Sequence, residues 1–369
     1  MAPPSIDPRR FAERVGSWLA STGPDSDVVV SCRVRLARNV EGLPFVARME
    51  PKAALELCGR LREELVAARL DGETRWVAMS DATPLVRVLL RERHLVSRDL
   101  APAEDGGAAL PGRAVAFGAT ESIAAMVNEE DHLRLQALAS GFDLARAWRR
   151  AQDLDRTLEA RVPFAHTREL GYLTGCPTNV GTGLRASVMM HLPALSLVRS
   201  ELEKVFAAAQ RTGLAVRGMY GEGSRAAGDF YQVSNQITLG RSEEQLVADL
   251  QALVPAIVQF ERDLRRLLAI ERRAALEDRI QRSLGLLRSA RALQTDQALA
   301  HLSTLRLGLE LGLIQEPRLS LLNELGVQVQ KAHVQALAQE EPGPTLVEAS
   351  ERDRLRAGFL RARLAARAD

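Results

Sequence analysis

Lysine is nearly missing from this sequence. Only Lys52, Lys204 and Lys331 occur among 49 lysines and arginines, so almost every cationic side chain is arginine. None of the three follows a glycine, and neither HRD nor DFG occurs. That excludes a Walker A loop and the protein-kinase signature set. Any ATP handled by this chain must have its phosphates neutralised by arginine. GC-rich codon usage would also enrich arginine and alanine, so abundance alone assigns no role. Cysteine is scarce as well: Cys32, Cys58 and Cys176, an odd set with no CxxC. That argues against a disulfide framework and structural zinc, and fits a reducing cytoplasm with free thiols. Long apolar runs are absent. The strongest candidate, Ala186 to Val198, falls short of the roughly 18 residues of a membrane span and contains His191 and Pro193. Arg9, Arg10, Glu13 and Arg14 interrupt any signal-type segment near the start. The net charge of +2 offers no bulk attraction to nucleic acid.

What is present reads as a globular protein: 369 residues, 46% hydrophobic and 26% charged, enough for two or three domains. Asp27–Arg38 has the alternation of a strand, with Val28, Val30, Cys32, Val34 and Leu36 on one face and Ser31, Arg33 and Arg35 on the other. Residues 52–70 and 143–161 read as helices, and residues 101–112 as an Ala/Pro/Gly-rich loop. Ala114–Gly118 and Ile123–Gln136 read as strands. In the second, period-2 geometry sends Glu130, His132 and Arg134 to one side and Glu129 and Asp131 to the other. Gly171–Ser187 reads as a partly enclosed loop. Leu214–Met219 and Phe230–Leu239 read as strands around a glycine-rich loop. Beyond Ser242 the pattern turns helical. Leu246, Leu250, Leu253, Ile257, Phe260, Leu264 and Leu267 form a heptad seam interrupted by Pro255, suited either to the chain's own sheet or to a second subunit. The expected architecture is a mixed α+β domain to about residue 260, then an all-helical one.

Several residues carry possible chemistry. Arg33, Arg35, Arg134, Arg185 and Arg217 fall at strand and loop ends beside glycine-rich turns. Singly each suits a solvated face; together they suit a polyphosphate cradle, because arginine binds phosphate bidentately and keeps its charge. Glu222 lies between glycines. Cys176 precedes Pro177 in a polar loop. Gly181-Thr-Gly-Leu-Arg-Ala186 matches GxGxxA, but no apolar strand runs into the first glycine, which speaks against a dinucleotide site.

Four segments together resemble the phosphagen (ATP:guanido) kinase family: Ser31-Cys-Arg-Val-Arg-Leu-Ala-Arg38, Asn128-Glu-Glu-Asp-His-Leu-Arg134, Cys176-Pro-Thr-Asn-Val-Gly-Thr182 with Arg185-Ala-Ser187, and Arg217-Gly-Met-Tyr-Gly-Glu222. The chain is most similar to the family's bacterial protein-arginine kinase branch. Only about 30 residues precede Ser31, whereas relatives acting on creatine or free arginine carry a helical domain there. The extra helices here lie C-terminally, where Leu305–Gly312 and Leu322-Asn-Glu-Leu325 look like that branch. Cys32 and Gly175 depart from expected serines, and residues 101–112 from the family's loop.

The resemblance implies an antiparallel β-sheet flanked by helices and followed by an all-helical C-terminal domain. It divides the chain into an N-terminal extension (1–26), a catalytic domain (27–260) and a helical domain (261–369). It implies transfer of the γ-phosphoryl of MgATP to arginine side chains of proteins, with ATP and Mg²⁺ required and the metal held mainly by the nucleotide. Glu130 and Glu222 match the carboxylates that grip the guanidinium, and Cys176 the active-site thiol. Ser31, Cys32, Arg33, Val34, Arg35, His94, Arg134, Arg185, Ala186, Ser187, Val188, Met189, Arg217, Gly218, Met219, Tyr220, Gly221 and Glu222 match nucleotide-binding segments. Arg352, Asp353, Arg356 and Ala357 match an RDxxRA motif that forms an allosteric phosphoarginine pocket in that branch. Implied partners are proteins with exposed arginines, an activator protein, a transcriptional repressor of the stress response and a Clp ATPase-protease. The implied assembly is a homodimer, without direct nucleic-acid or membrane binding. The alternatives are a kinase for free arginine or another small guanidino compound, and a non-enzymatic phosphoarginine-binding regulator.

Overall fold

The computed structural model describes residues 6–101, 110–218 and 226–365. Among these residues ten strands run β1 (Val29–Arg38), β2 (Thr74–Ala78), β3 (Ala114–Gly118), β4 (Ile123–Val127), β5 (Leu133–Ser140), β6 (His166–Thr167), β7 (Gly171–Tyr172), β8 (Leu184–His191), β9 (Leu214–Gly218) and β10 (Phe230–Asn235). Eight form one antiparallel sheet in the order β2-β3-β4-β5-β1-β8-β10-β9, and β6 pairs with β7. β1 is central. It pairs with β5 from Ser31↔Ser140 to Arg38↔Leu133 and with β8 from Val29↔Met190 to Leu36↔Leu184.

One face of the sheet is apolar and carries the main core. The helix Pro51–Ala67 buries Ala54, Leu57, Leu61 and Leu65, and the helix Leu144–Glu159 buries Leu144, Ala147, Ala151, Leu154 and Leu158 against it. The helix Glu243–Glu271, opened by a Ser242/Gln245 capping box, adds Leu246, Leu250, Val254 and Ile257 to the same core. Most of the heptad seam is therefore spent on the chain's own sheet. Leu267 and, one turn on, Ile270 are exposed. That helix runs unbroken through residue 260 into the helical region.

Two expectations change. Val30 does not share a face with Cys32 and Val34. The β1–β8 register shifts between Val29 and Ser31, a bulge that turns Val30 into a cluster with Trp18, Leu138, Met189 and Val327 on the opposite side. Nor does Ile123–Gln136 form one strand. The chain turns at residues 128–132 between β4 and β5, with Asn128 at φ +54°, so the inferred alternation of the carboxylates fails.

The C-terminal helices pack onto this body. Arg306 is buried and donates to the Ser26 and Asp27 carbonyls ahead of β1. Ser303 bridges His191 at the end of β8 to Asp229 ahead of β10. Glu92 accepts from the Ala332 and His333 amides, capping the helix Lys331–Ala338.

Candidate active site

Residues two apart on a strand share a face. Ser31, Arg33 and Arg35 on β1 therefore align with Arg185, Ser187 and Met189 on β8, and register carries the row outward. Arg35 opposes Gln136 and Arg185, Arg33 opposes Leu138 and Ser187, and Met189 opposes Gln232, which opposes Arg217. Over this face lie two recesses. One, an open recess enclosing about 20 Å³, is lined by Trp18, Ser31, Arg33, His94, Leu138, Ser187, Met189 and Gln232. The other, of about 250 Å³, is lined mainly by Arg35, Glu130, Arg134, Cys176, Thr178, Asn179 and Arg185.

The arginines of the Ser31–Arg38 segment divide sharply. Arg38 faces the core and is fully engaged. It grips Asp155 through Nε and Nη2 at 2.7–3.2 Å, donates to the Ala37 and Thr182 carbonyls, and lies 3.5 Å from the centre of the Tyr172 ring. Arg35 and Arg185 instead each keep a buried Nε with no hydrogen-bond partner among the described residues. Burial, with Arg33, Arg134 and Arg185 beside it, holds the Arg35 pKa well below the usual guanidinium value. Arg185 is depressed by burial and by Arg217 and Arg134. Clustered cations with unused donors are a site for a multiply charged anion. The fit to a polyphosphate rests on these orphaned donors.

Arg134 is held by both carboxylates of the β4–β5 turn. Glu129 is 2.8 Å from Nη1 and Glu130 is 2.5 Å from Nη2. Glu129 is buried and also accepts from Ser97. Glu130 is 40% exposed in its side chain and borders the larger recess, so it can exchange Arg134 for another guanidinium. Below it, Asp131 Oδ1 accepts from the Gly175 amide at 2.6 Å and from Asn39 at 2.7 Å. Burial raises the Asp131 pKa. This contact ties the thiol loop to the glutamate turn. Cys176 is half-buried with Sγ 3.1 Å from Thr178 Oγ1. Its loop is pinned by Thr238, whose hydroxyl donates to the Thr178 and Val180 carbonyls. Gly181 at φ +110° explains one glycine of the loop, because a Cβ there would lie 2.3 Å from the Thr238 carbonyl oxygen.

His94 lines the smaller recess at φ +57°. Burial, then Arg33 and Arg35, push its pKa down to about 3, so the ring is neutral. Cys32, Val34, Ala186 and Val188 point into the core from the opposite face, so only their backbone can serve a ligand. Arg217 is exposed and Gly218 ends β9, paired with Tyr231. Met219, Tyr220, Gly221 and Glu222 lie outside the described residues. Trp18, Leu138 and Gln232 were not singled out in the sequence. Gln232 bonds Arg33 at 3.2 Å across strands distant in sequence, and its only local signal is a polar residue on a strand.

In the helical region, Arg352 and Asp353 are half-buried, whereas Arg356 is enclosed. Its guanidinium donates to the Val329 and Leu293 carbonyls and to Asp353, all at 2.6–2.7 Å. Arg356 thus clasps helices together instead of presenting a free fork. Ala357 is buried beside it.

Residues 58–264 match the ATP:guanido phosphotransferase C-terminal catalytic domain. The chain belongs to that family. Residues 273–369 of this guanido phosphotransferase match the protein-arginine kinase McsB C-terminal domain. It is 44% identical over 352 residues to the protein-arginine kinase of Symbiobacterium thermophilum, covering 95% of this chain and 96% of that one. It is 42% identical over 354 residues to that of Bacillus thuringiensis, covering 95% and 96%. Among solved structures, lombricine kinase aligns with a TM-score of 0.56 at 25% identity, covering 71% of this chain and 72% of that one. The duplicated taurocyamine kinase of Schistosoma mansoni, with bound transition-state-analogue components, aligns at 0.58 and 27% identity, covering 71% of this chain and 36% of the duplicated one. The antiparallel sheet with flanking helices is the fold of these guanido kinases. No helix among the described residues is long and apolar enough to cross a membrane.

Proposed function

We propose that this guanido phosphotransferase transfers the γ-phosphoryl of MgATP to the guanidinium of arginine side chains in proteins. The observation that carries the reading is the larger recess, where Arg35, Arg134 and Arg185 meet Glu130 and Cys176. The C-terminal domain match and the near-full-length similarity to protein-arginine kinases support a protein acceptor over free arginine.

A guanidinium is a poor nucleophile, because its lone pairs are delocalised and its pKa lies above about 12. Glu130 and Glu222 orient the planar fork and one of them takes the departing N–H proton as the N–P bond forms and the bond to the ADP oxygen breaks. The Cys176 thiolate biases charge within the guanidinium towards the reacting nitrogen. Arg33, Arg35, Arg134, Arg185 and Arg217 hold the phosphates of MgATP, in which the metal enters with the substrate, and stabilise the in-line transfer. The base and ribose occupy the smaller recess. The transfer marks proteins for a Clp ATPase-protease or controls a stress-response repressor, and the catalytic unit works as a homodimer with the helical region as its regulatory part.

The test is incubation with MgATP and either an unfolded protein or free arginine, followed by detection of acid-labile phosphoarginine. Product on the protein alone supports the reading. Product on free arginine alone replaces it with a small-guanidino kinase, and no product on either leaves a phosphoarginine-binding regulator.

A further inference from the structure

We propose that Trp18, from the segment ahead of the first strand, is a nucleotide-positioning residue that holds the His94 ring as a wall of the base recess and is itself held by the C-terminal helices. The proposal rests on the nucleotide reading above and extends it to a residue outside the family motifs.

The smaller recess has the composition a purine nucleoside needs. Trp18, His94, Leu138 and Met189 supply flat or soft apolar contact, and Ser31, Arg33, Ser187 and Gln232 supply donors and acceptors. It connects to the phosphate cleft through β1. Arg33 lines one recess and Arg35 the other, about 7 Å apart along one face of the strand.

The helix Pro84–Glu92 places His94 through its C-terminal cap: the residue sits in the left-handed region, its amide donates to the Arg91 carbonyl at 2.9 Å, and the Leu95 amide donates to the Leu90 carbonyl at 3.0 Å. Two further contacts come from distant residues. The His94 carbonyl accepts from Gln136 Nε2 at 2.7 Å. The imidazole meets the Trp18 indole edge-on, with ring centroids 5.6 Å apart and planes at 64°.

Trp18 is only 1% exposed, and its turn, Ser17–Leu19, is anchored on both sides. The Ser17 amide and hydroxyl both donate to the Thr120 carbonyl, in the loop between β3 and β4. From the helical region, Asn323 donates to the Leu19 carbonyl at 3.3 Å and to Ser21 Oγ at 2.7 Å. The Asn323 carbonyl oxygen accepts from Arg306, which also donates to Ser26 O at 2.8 Å just ahead of β1. Val327, one turn after Asn323, packs with Trp18, Val30, Leu138 and Met189. The helix Leu319–Gln328 therefore backs the nucleoside recess without touching it.

The experiment measures steady-state kinetics of the full chain with MgATP varied, and separately with acceptor protein varied. Trp18→Leu keeps apolar burial and removes the ring. It raises the KM for MgATP about 3- to 10-fold, the range of one aromatic contact, while kcat at saturating MgATP and the acceptor KM stay within about twofold. Trp18→Phe restores most of the affinity. Asn323→Asp keeps the acceptor for Arg306 but removes the donor to Leu19, and shifts KM in the same direction. In a Trp76→Phe/Trp148→Phe background, the emission of Trp18 alone changes on adding MgATP. A folded Trp18→Leu chain with wild-type KM, or unchanged Trp18 emission while the protein binds MgATP, overturns the proposal. Failure of the wild-type chain to bind MgATP overturns the nucleotide reading beneath it.

Discussion

Arg35 and Arg185 oppose each other across the pairing of β1 with β8, and each keeps a buried guanidinium nitrogen unpaired among the described residues. Two like charges held this way oppose folding, and an anion between them relieves the repulsion. Arg35→Met should therefore melt higher than the parent, by roughly 2–4 °C for each 1 kcal/mol relieved. Phosphotransfer should fall at least ~10³-fold, the lower range for an arginine that stabilises a transferring phosphoryl group. Thermal melts with and without MgATP check both parts. A variant that melts lower and still turns over would refute the assignment.

Glu130→Gln and Glu222→Gln keep shape and remove the anion. Each should lower phosphotransfer at least ~10²-fold, as expected for positioned acid–base groups, with nucleotide affinity retained. In Glu130→Gln, Arg134 remains clamped by Glu129 at 2.8 Å, so the loss reports acceptor handling and not collapse of the arginine cluster. Single-turnover rates beside equilibrium nucleotide titration separate the two.

The three thiols should differ in reactivity. Burial pushes the Cys58 pKa up to about 11 and the Cys32 pKa higher still, and Cys32 is fully enclosed. A raised pKa means less thiolate at neutral pH. Iodoacetamide at pH about 8 should label Cys176 first and inactivate, Cys58 should follow only as the pH is raised, and MgATP with acceptor should protect. Cys176→Ser should fold and transfer slowly. Peptide mapping that finds inactivation tracking Cys32 or Cys58 would move the thiol role elsewhere.

Arg356 is a structural clasp, so Arg356→Ala strands two carbonyls and Asp353. It should cost about 1–3 kcal/mol, the scale for buried groups left unpaired, visible as loss of helical-region stability. Arg352→Ala is the cleaner probe of a phosphoarginine pocket. It should abolish any response of activity to added phosphoarginine while the melting temperature stays near that of the parent. Equal phosphoarginine affinity in Arg352→Ala and parent chains, by calorimetry, would place such a pocket away from these residues.

The motifs were legible because their residues sit in short local patterns: two arginines at strand spacing, a cysteine before proline, glycines at a close approach. What sequence could not show was set by distant partners. The alternation from Met126 to Arg134 continues straight through a hairpin turn, and only Asn128 in a left-handed conformation breaks it. The Glu243–Glu271 seam has a periodicity that suits a second subunit as well as a sheet, and the sheet takes most of it. Trp18 lies in the stretch assigned to an N-terminal extension, and its partner His94 is far along the chain. Arg38 and Arg35 look alike in sequence. Asp155 and Tyr172 make the first structural and leave the second available.

Because β1 is the central strand, the cleft cannot exist early in the life of the chain. Its neighbours are residues 133–140 and 184–191, so the arginine row closes only after segments roughly 100 and 150 residues later have been made. At a synthesis rate of ~5–20 residues per second, that is roughly 5–20 s before β1 has its first native partner and roughly 8–30 s before it has both. Such long-range pairing gives the domain a high contact order and a slow search. A nascent chain therefore carries its cationic strand without its full set of partners through about the first half of translation, and ribosome-bound intermediates shorter than about residue 191 should hold no nucleotide.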